Sequence, residues 1–241
     1  MKTRMSKVLL ISIMIISTIG IQTSLAGFQD TKKENRKVNE FSSVVFAISG
    51  NLYLSQGDKN EVIIEADDDI LEKIITEVRG DRLVIEFERW YNYRGNGKIN
   101  VYVTTKNIEE ITLTGSGTVT NKTPINSSDI ELAITGSGSI MIDRLITKNV
   151  KSMISGSGDI KISSDKKAAT FNATITGSGD INATSIEFEK GKLTITGSGS
   201  IKASIVEDLR AVITGSGKIV YMGKPLIDAD ITGSGKIVNG N

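Results

Sequence analysis

The sequence predicts an all-β fold, a single-stranded parallel β-helix with coils of about 18–21 residues. Two observations support this prediction: a short motif repeats along much of the chain, and apolar and polar residues alternate on both sides of it. The motif is Gly-Ser-Gly, with spacings of 21, 20, 21, 20, 18 and 18 residues. Such a period is typical of a solenoid, in which each repeat forms one coil that stacks on the next. The copies begin at Gly115, Gly136, Gly156, Gly177, Gly197, Gly215 and Gly233.

The residues that flank the motif indicate strands. An aliphatic residue stands two positions before the first glycine and four positions after it in every copy, and a threonine or serine directly precedes the glycine. This alternation has the period of a β-strand. When coils stack about 4.8 Å apart, the aliphatic columns become a continuous core and the hydroxyls become external ladders. The glycines then face inward or form a corner that has no room for a Cβ atom.

Residues 1–26 have the pattern of a secretory signal peptide. Lys2, Arg4 and Lys7 precede a short apolar run, and Ser24-Leu25-Ala26 supplies a cleavage site. The run is shorter than the ~20 apolar residues that a membrane span needs. We therefore expect an exported protein of the periplasm, cell surface or extracellular space, without a membrane span after cleavage.

The rest of the chain is predicted to form a leader and one domain. Residues 27–40 are polar and of mixed charge, and we expect a flexible leader there. Residues 41–241 are expected to form the β-helix, with degenerate N-terminal coils over 41–110 and the seven Gly-Ser-Gly coils over 111–241. Within the degenerate part we expect a worn copy of the turn at Ile48–Leu52 and a short helix at Ile70–Val78. We also expect three short strands, at Glu61–Ala66, Arg82–Phe87 and Lys98–Val103.

Composition excludes several function classes. The chain has 29 Lys+Arg against 28 Asp+Glu, which argues against a nucleic-acid partner. It has no Cys and no His, so disulfides, thiolate metal sites, thiol nucleophiles and imidazole bases are all absent. The two Gly-Ser-Gly-Lys copies lack the further glycine and hydroxyl residue of a phosphate-binding loop. We therefore predict no cofactor, no metal and no enzymatic activity.

A cluster of aromatic residues is the first candidate site. Trp90, Tyr91, Tyr93 and Arg94 lie together, and Trp90 is the single tryptophan of a chain with 5% aromatic residues. Exposed rings of this kind stack on sugars, and Arg hydrogen-bonds to hydroxyl and carboxylate groups. The alternative interpretation is that Trp90 and Tyr93 cover an end of the core.

Asp159 and Asp180 are the second candidate site. Both occupy the position after the second glycine, so we expect them to be stacked neighbours, with Lys161 and Asn182 beside them. Two close carboxylates hold a cation or share a proton. The alternative interpretation is a solvated polar face.

The repeated Thr-Gly-Ser-Gly-x-Ile, the opening segment Phe41–Gly57 (FSSVVFAISGNLYLSQG) and Gly80–Phe87 (GDRLVIEF) together resemble a known family. This family is the autotransporter adhesin head GIN domain family of secreted bacterial proteins, and the resemblance covers nearly all of the mature chain. It implies a right-handed parallel β-helix at the cell envelope, with an adhesive or polysaccharide-binding role. It implies no catalytic residues.

Taken together, these features predict an exported, non-enzymatic envelope or surface protein that acts as an adhesin and binds polysaccharide. One alternative is a structural envelope protein that binds protein partners, and another is a polysaccharide-active enzyme that uses Asp159 and Asp180. The last coil has no evident cap, and open coil edges pair with other chains. We therefore expect the C-terminal coil edge to form a homo-oligomer or to dock on a partner.

Overall fold

The computed structural model describes residues 31–93, 95 and 97–241. It is a β-solenoid of about six turns built from stacked parallel coils, as predicted. The signal peptide predicted at residues 1–26 lies outside the described residues.

The single helix among the described residues, α1, spans Asp68–Leu71. The strands are β1 Lys32–Arg36, β2 Ser43–Ala47, β3 Asn51–Gln56, β4 Glu61–Ala66, β5 Ile74–Arg79, β6 Arg82–Phe87, β7 Asn100–Thr105, β8 Glu110–Gly115, β9 Thr118–Asn121, β10 Ile125–Asn126, β11 Asp129–Gly136, β12 Ser139–Ile142, β13 Leu145–Ile146, β14 Asn149–Gly156, β15 Asp159–Ser163, β16 Ala168–Gly177, β17 Asp180–Gly197, β18 Ser200–Gly215, β19 Lys218–Met222, β20 Leu226–Gly233 and β21 Lys236–Asn239.

The Gly-Ser-Gly turns stack in register from the first copy to the last. Gly115 pairs with Gly136, and the same pairing continues coil by coil to Gly233. The strand that enters each turn lies on a first face of the solenoid, and the strand that leaves it lies on a second face. Both aliphatic columns are buried until the last coil, as predicted, while the threonine and serine columns are exposed.

The two glycines of each turn are required for different reasons. The first glycine has a positive φ, +127° at Gly177, and a Cβ atom there would lie 2.3 Å from the carbonyl oxygen of Gly156. The second glycine faces the core, where a Cβ atom on Gly179 would lie 2.8 Å from the side chain of Ile154. From the second copy onward a Cβ atom fits at neither position, so these turns require both glycines, whereas at Gly115 the positive φ alone favours glycine.

The N-terminal coils are not stacked in the order of the chain. Strands β2 and β3 form the first coil, and it lies between β6–β7 on one side and β8–β9 on the other. Its turn is the expected worn copy, since Thr118 donates its backbone N–H to the carbonyl of Gly50 at 2.8 Å. Strands β5 and β4 then close the N-terminal end, antiparallel to β6 and β7.

Residues in the expected flexible leader form an edge strand. Lys32–Arg36 make up β1, which pairs antiparallel with β4 and is followed by Val38 packed on the core. The interpretation as a leader was wrong for these residues because β4 offers an open backbone edge. The charged side chains of β1 suit the edge of a sheet.

The helix predicted for Ile70–Val78 is also only partly present. Only Asp68–Leu71 is helical, and Ile74–Arg79 is strand β5, paired antiparallel with β6 through a tight turn at Gly80. Five aliphatic residues in nine positions fit either a helix or a half-buried strand, and the open edge of β6 favours the strand.

The C-terminal end of the solenoid differs from the N-terminal end. All eight residues of β20 are exposed, including Leu226, which is 78% exposed. Within the described residues, β20 pairs on one side only, with β18.

Within residues 31–93, 95 and 97–241, no helix has the length and apolar character needed to cross a membrane.

Candidate functional site

The aromatic cluster lies between β6 and β7, at the capped N-terminal end. Trp90 is 88% exposed and has a φ of +73°, a left-handed conformation that is rare for a bulky residue. The Arg89 guanidinium lies 5.1 Å from the centroid of the Trp90 ring. Such backbone strain costs about 1–3 kcal/mol and concentrates at functional sites. The structure therefore holds an indole ring out in solvent at one end of the solenoid.

The two tyrosines of the cluster pack against the core instead. The Tyr93 ring stacks on Phe87 with centroids 5.4 Å apart, and its hydroxyl donates to the carbonyl of Gly97 at 2.7 Å. Burial, and next the negative charge of Asp67, raise the pKa of the Tyr93 hydroxyl. Tyr91 lies tilted against Phe87 at 5.2 Å. Arg94 lies outside the described residues.

Asp67 places a negative charge beneath this loop. The residue is 7% exposed, and its Oδ1 atom has no hydrogen-bond partner in the described part of the chain. Asp68 and Asp69 follow it in the first turn of α1, where acidic residues favour the helix dipole. Asp67 and Asp69 lie close enough to Tyr93 for their charges to raise the pKa of its hydroxyl.

Asp159 and Asp180 are stacked neighbours, as expected. They pair across β15 and β17, and Lys161 pairs with Asn182 two positions further on. Both aspartates are exposed on the second face of the solenoid. Neither lines the polar groove described below. The described residues hold no group of three or more acidic side chains arranged to bind a metal ion.

A polar groove on the side of the solenoid was not predicted from the sequence. It has two adjoining parts of about 640 and 810 Å³, which share Glu109, Ser127 and Ser128. Because several coils contribute side chains to it, no single segment of sequence carries its signature. The sequence offers one clue, since polar residues precede the strands of the first face in successive coils.

Side-chain ladders run along this groove. The amide nitrogen of Asn149 donates to Asp129 at 2.8 Å, and Thr170 donates to the Asn149 side-chain oxygen at 2.7 Å. Lys151 pairs with Glu131 at 3.2 Å on the same wall. The groove thus presents carboxylate, amide and hydroxyl groups, which are chemically suited to hydrogen-bond with sugar hydroxyls.

A family model matches residues 40–225 of the chain, and the family is described as "Putative auto-transporter adhesin, head GIN domain". The chain belongs to this family. The match begins just before β2 and ends just before β20, so it includes the N-terminal coils, the aromatic loop and the polar groove. Membership in an adhesin family implies an exported or surface location. None of the curated proteins matches the chain.

Solved structures of other proteins share the fold. A "putative adhesin" from Bacteroides fragilis NCTC 9343 is 24% identical with a TM-score of 0.82, covering 87% of this chain and 96% of that one. A "putative lipid binding protein" from Parabacteroides distasonis ATCC 8503 is 23% identical with a TM-score of 0.74, covering 89% and 98%. A "putative adhesin" from Parabacteroides merdae ATCC 43184 is 19% identical with a TM-score of 0.70, covering 89% and 98%. At these identities the likeness concerns the fold alone.

Proposed function

We propose that this member of the adhesin head GIN domain family is an exported, non-enzymatic adhesin that binds polysaccharide through Trp90. The observation that carries the proposal is the 88% exposure of the Trp90 indole on a strained backbone. An exposed indole leaves a large apolar surface in water, and the C–H face of a pyranose ring would cover it. The ring also keeps an N–H donor for a sugar hydroxyl.

The acidic groups of the polar groove suit a neutral or basic glycan. At the aromatic loop, the Arg89 guanidinium lies beside the indole, where it can hydrogen-bond with sugar hydroxyls. The polar groove that includes Glu109 and Asp129 offers a second surface for a long chain of sugars. Its carboxylates would repel a polyanionic glycan.

The open setting of the paired aspartates supports the non-enzymatic part of the proposal. The chain has no histidine and no cysteine, and the paired Asp159 and Asp180 lie on an open sheet face. Glycoside hydrolysis requires two carboxyl groups on either side of a bound sugar. An open face does not enclose a substrate in that way.

The signal-like residues 1–26 support export, which would bring the domain to the envelope or cell surface. We expect cleavage after Ala26 and attachment to glycan outside the cytoplasm. N-terminal sequencing of protein secreted by a bacterial host tests the cleavage, and a chain that retains Met1 would contradict it.

Binding of residues 27–241 to an array of cell-wall and capsular polysaccharides tests the function. We expect Trp90→Ala to weaken binding at least about tenfold, which corresponds to about 1.4 kcal/mol. Met141→Ala, at a 40% exposed apolar residue in the middle of the solenoid, is the matched control and should bind normally. Equal binding by wild type and Trp90→Ala would remove Trp90 from the site.

A further inference from the structure

The last coil presents a free backbone edge. Ser234 and Lys236 donate their N–H groups back to Gly215 and Gly217 at 2.9 and 3.0 Å. The N–H and C=O groups of successive residues point to opposite edges of a strand. Ala229, Ile231 and the other odd-numbered residues of this coil therefore direct their N–H and C=O groups to the edge that faces away from the preceding coil. These outward-directed groups have no partner strand among the described residues.

Apolar side chains accompany this free edge. Ile227 and Ile231 are both 42% exposed, although Leu209 and Ile213, with which they pair in the preceding coil, are buried in the core. Exposed apolar side chains beside unpaired backbone groups invite the addition of a strand. At the other end of the solenoid, β1 covers β4 with a strand composed mainly of charged residues.

The charges of the last coil are divided between its two arms. Asp228 and Asp230 point outward from β20, and Lys236 points outward from β21. Asp228 already pairs with Arg210 of the preceding coil. Asp230 and Lys236 have no ion-pair partner in the described part of the chain, and Lys236 lies directly beside Lys218. The two arms therefore carry unpaired charges of opposite sign.

We propose that two copies of this chain join through their last coils about a two-fold axis at Gly233, with β20 of each copy antiparallel to β21 of the other. This register places Asp230 of one copy opposite Lys236 of its partner. Ala229 then lies opposite Ile237 of the partner subunit, and both belong to the set that faces the core. The two solenoid cores become continuous across the axis.

The backbone geometry agrees with this register. Ala229 and Ile237 both direct their N–H and C=O groups to the free edge, as a hydrogen-bonded antiparallel pair requires. Asp230 and Lys236 fall in a non-hydrogen-bonded pair, where side chains on opposite strands come closest. Each charge pair occurs twice because of the two-fold symmetry.

Other arrangements are disfavoured by charge. Pairing β20 with β20 of the partner would bring the Asp228 and Asp230 carboxylates of both copies together. Stacking the last coil on the capped N-terminal end would lay apolar residues against Lys32 and Lys33 of β1. That contact would also be open-ended, so it would form filaments rather than a closed dimer.

Sedimentation velocity of residues 27–241 at about 1 to 100 μM tests the proposal, since the fraction of protein in a dimer rises with total concentration. We expect a dimer for wild type. Asp230→Lys alone and Lys236→Asp alone each place like charges opposite each other and should raise the dimer dissociation constant at least about tenfold. The double variant Asp230→Lys/Lys236→Asp should restore the wild-type value.

Asp180→Lys is the matched control, because Asp180 occupies the same position in its repeat as Lys236 but lies within the stack. It should leave the dissociation constant unchanged. A strictly monomeric wild type would overturn the proposal. Failure of the double variant to restore dimerisation, with circular dichroism and melting temperature equal to wild type, would also overturn it. A dimer that is insensitive to both single reversals would place the contact elsewhere.

Discussion

At the scale of single residues, the close stacking of the turns depends on glycines, which have no Cβ atom. From the second copy onward, the first glycine of each turn lies over the carbonyl of the glycine one coil earlier, as Gly177 lies over Gly156. Gly80 also has a positive φ, of +71°, but nothing lies within 4 Å of the Cβ atom that it lacks. Substitutions at Gly80 and Gly177 therefore distinguish the cost of a positive φ from the cost of a steric clash.

Gly177→Ala should destabilise the protein by roughly 2–4 kcal/mol, since it adds a 2.3 Å clash to an unfavourable φ. Gly80→Ala adds the unfavourable φ alone and should cost about 1 kcal/mol. Urea unfolding followed by circular dichroism measures both values. Equal losses of stability at the two positions would mean that close stacking of the turns is not what requires glycine.

Glu65 is the residue through which acid should affect the N-terminal cap. Tyr102 donates its hydroxyl to the Glu65 carboxylate at 2.9 Å, and this bond, with help from Asn100 and Lys33, lowers the pKa of Glu65 below its ordinary value of 4.5. The stabilising contribution of a carboxylate with a lowered pKa is complete above the unfolded-state pKa. It is lost as pH falls through the folded-state pKa.

Tyr102→Phe should therefore reduce the free energy of unfolding at pH 7 by about 1 kcal/mol. The difference from wild type should narrow as pH falls below the ordinary value of 4.5, because the unfolded chain then binds a proton at Glu65, and it should vanish once pH falls through the lowered pKa of Glu65 in the folded wild type. Tyr53→Phe is the control, since the Tyr53 ring stacks on Tyr102 at 5.1 Å without bonding to Glu65. Unfolding measured from pH 3 to 7 checks this, and a constant difference would contradict it.

At the scale of elements, β1 converts an open sheet edge into a protected one. Arg36 donates to the carbonyl of Leu71 in α1 at 2.8 Å, and Lys33 pairs with Glu65 of β4 at 3.7 Å. Exposed ion pairs contribute little stability, so the value of β1 lies in the backbone hydrogen bonds that it gives to β4. The strand holds down the part of the cap that lies furthest from the repeat.

A chain that begins at Lys37 should fold but have a weaker cap. We expect the amides of β4 that face β1 to exchange with solvent roughly tenfold faster, because they lose their acceptors. Amides of β14 and β16 in the middle of the solenoid should exchange at wild-type rates. Hydrogen exchange followed by mass spectrometry checks both, and unchanged protection of β4 would contradict the structural role of β1.

The strands that could be predicted from sequence are those of the repeat. Ile175 and Ile181 have fixed positions relative to their Gly-Ser-Gly copy, so register and burial follow directly. Strand β1 could not be predicted, because its residues have no apolar alternation and it forms by pairing with β4. Strand β5 could not be distinguished from a helix, since the edge that selects it belongs to β6.

The candidate site was predictable only as a set of residues. The cluster at Trp90, Tyr91 and Tyr93 was evident from its composition, but each aromatic ring could either pack or be exposed. The structure separates them because Phe87 receives the tyrosines and leaves the tryptophan in solvent. The polar groove was not predictable, since its walls come from residues one coil apart in the chain.

At the scale of the whole molecule, the solenoid has two chemically different ends. The N-terminal end carries the antiparallel cap, the charged edge strand and the exposed Trp90, while the C-terminal end carries exposed aliphatic residues and an open edge. A two-fold dimer through the second end would direct both tryptophans outward at opposite extremes. Such a particle would be bivalent, and a bivalent binder gains avidity when its ligand repeats along a polymer.

The position of β2 and β3 inside the stack has a consequence for how the protein is made. Both neighbours of this coil come later in the chain, since Ser43 pairs with Arg82 on one side and with Glu110 on the other. A chain that emerges from the ribosome or a translocation pore from its N-terminus therefore has no completed neighbour for its first coil until β7 has emerged, and it lacks the second neighbour until β9 has emerged. Such distant pairings close slowly, so we expect the first coil to complete its fold only after the strands of the first Gly-Ser-Gly repeat have been synthesised.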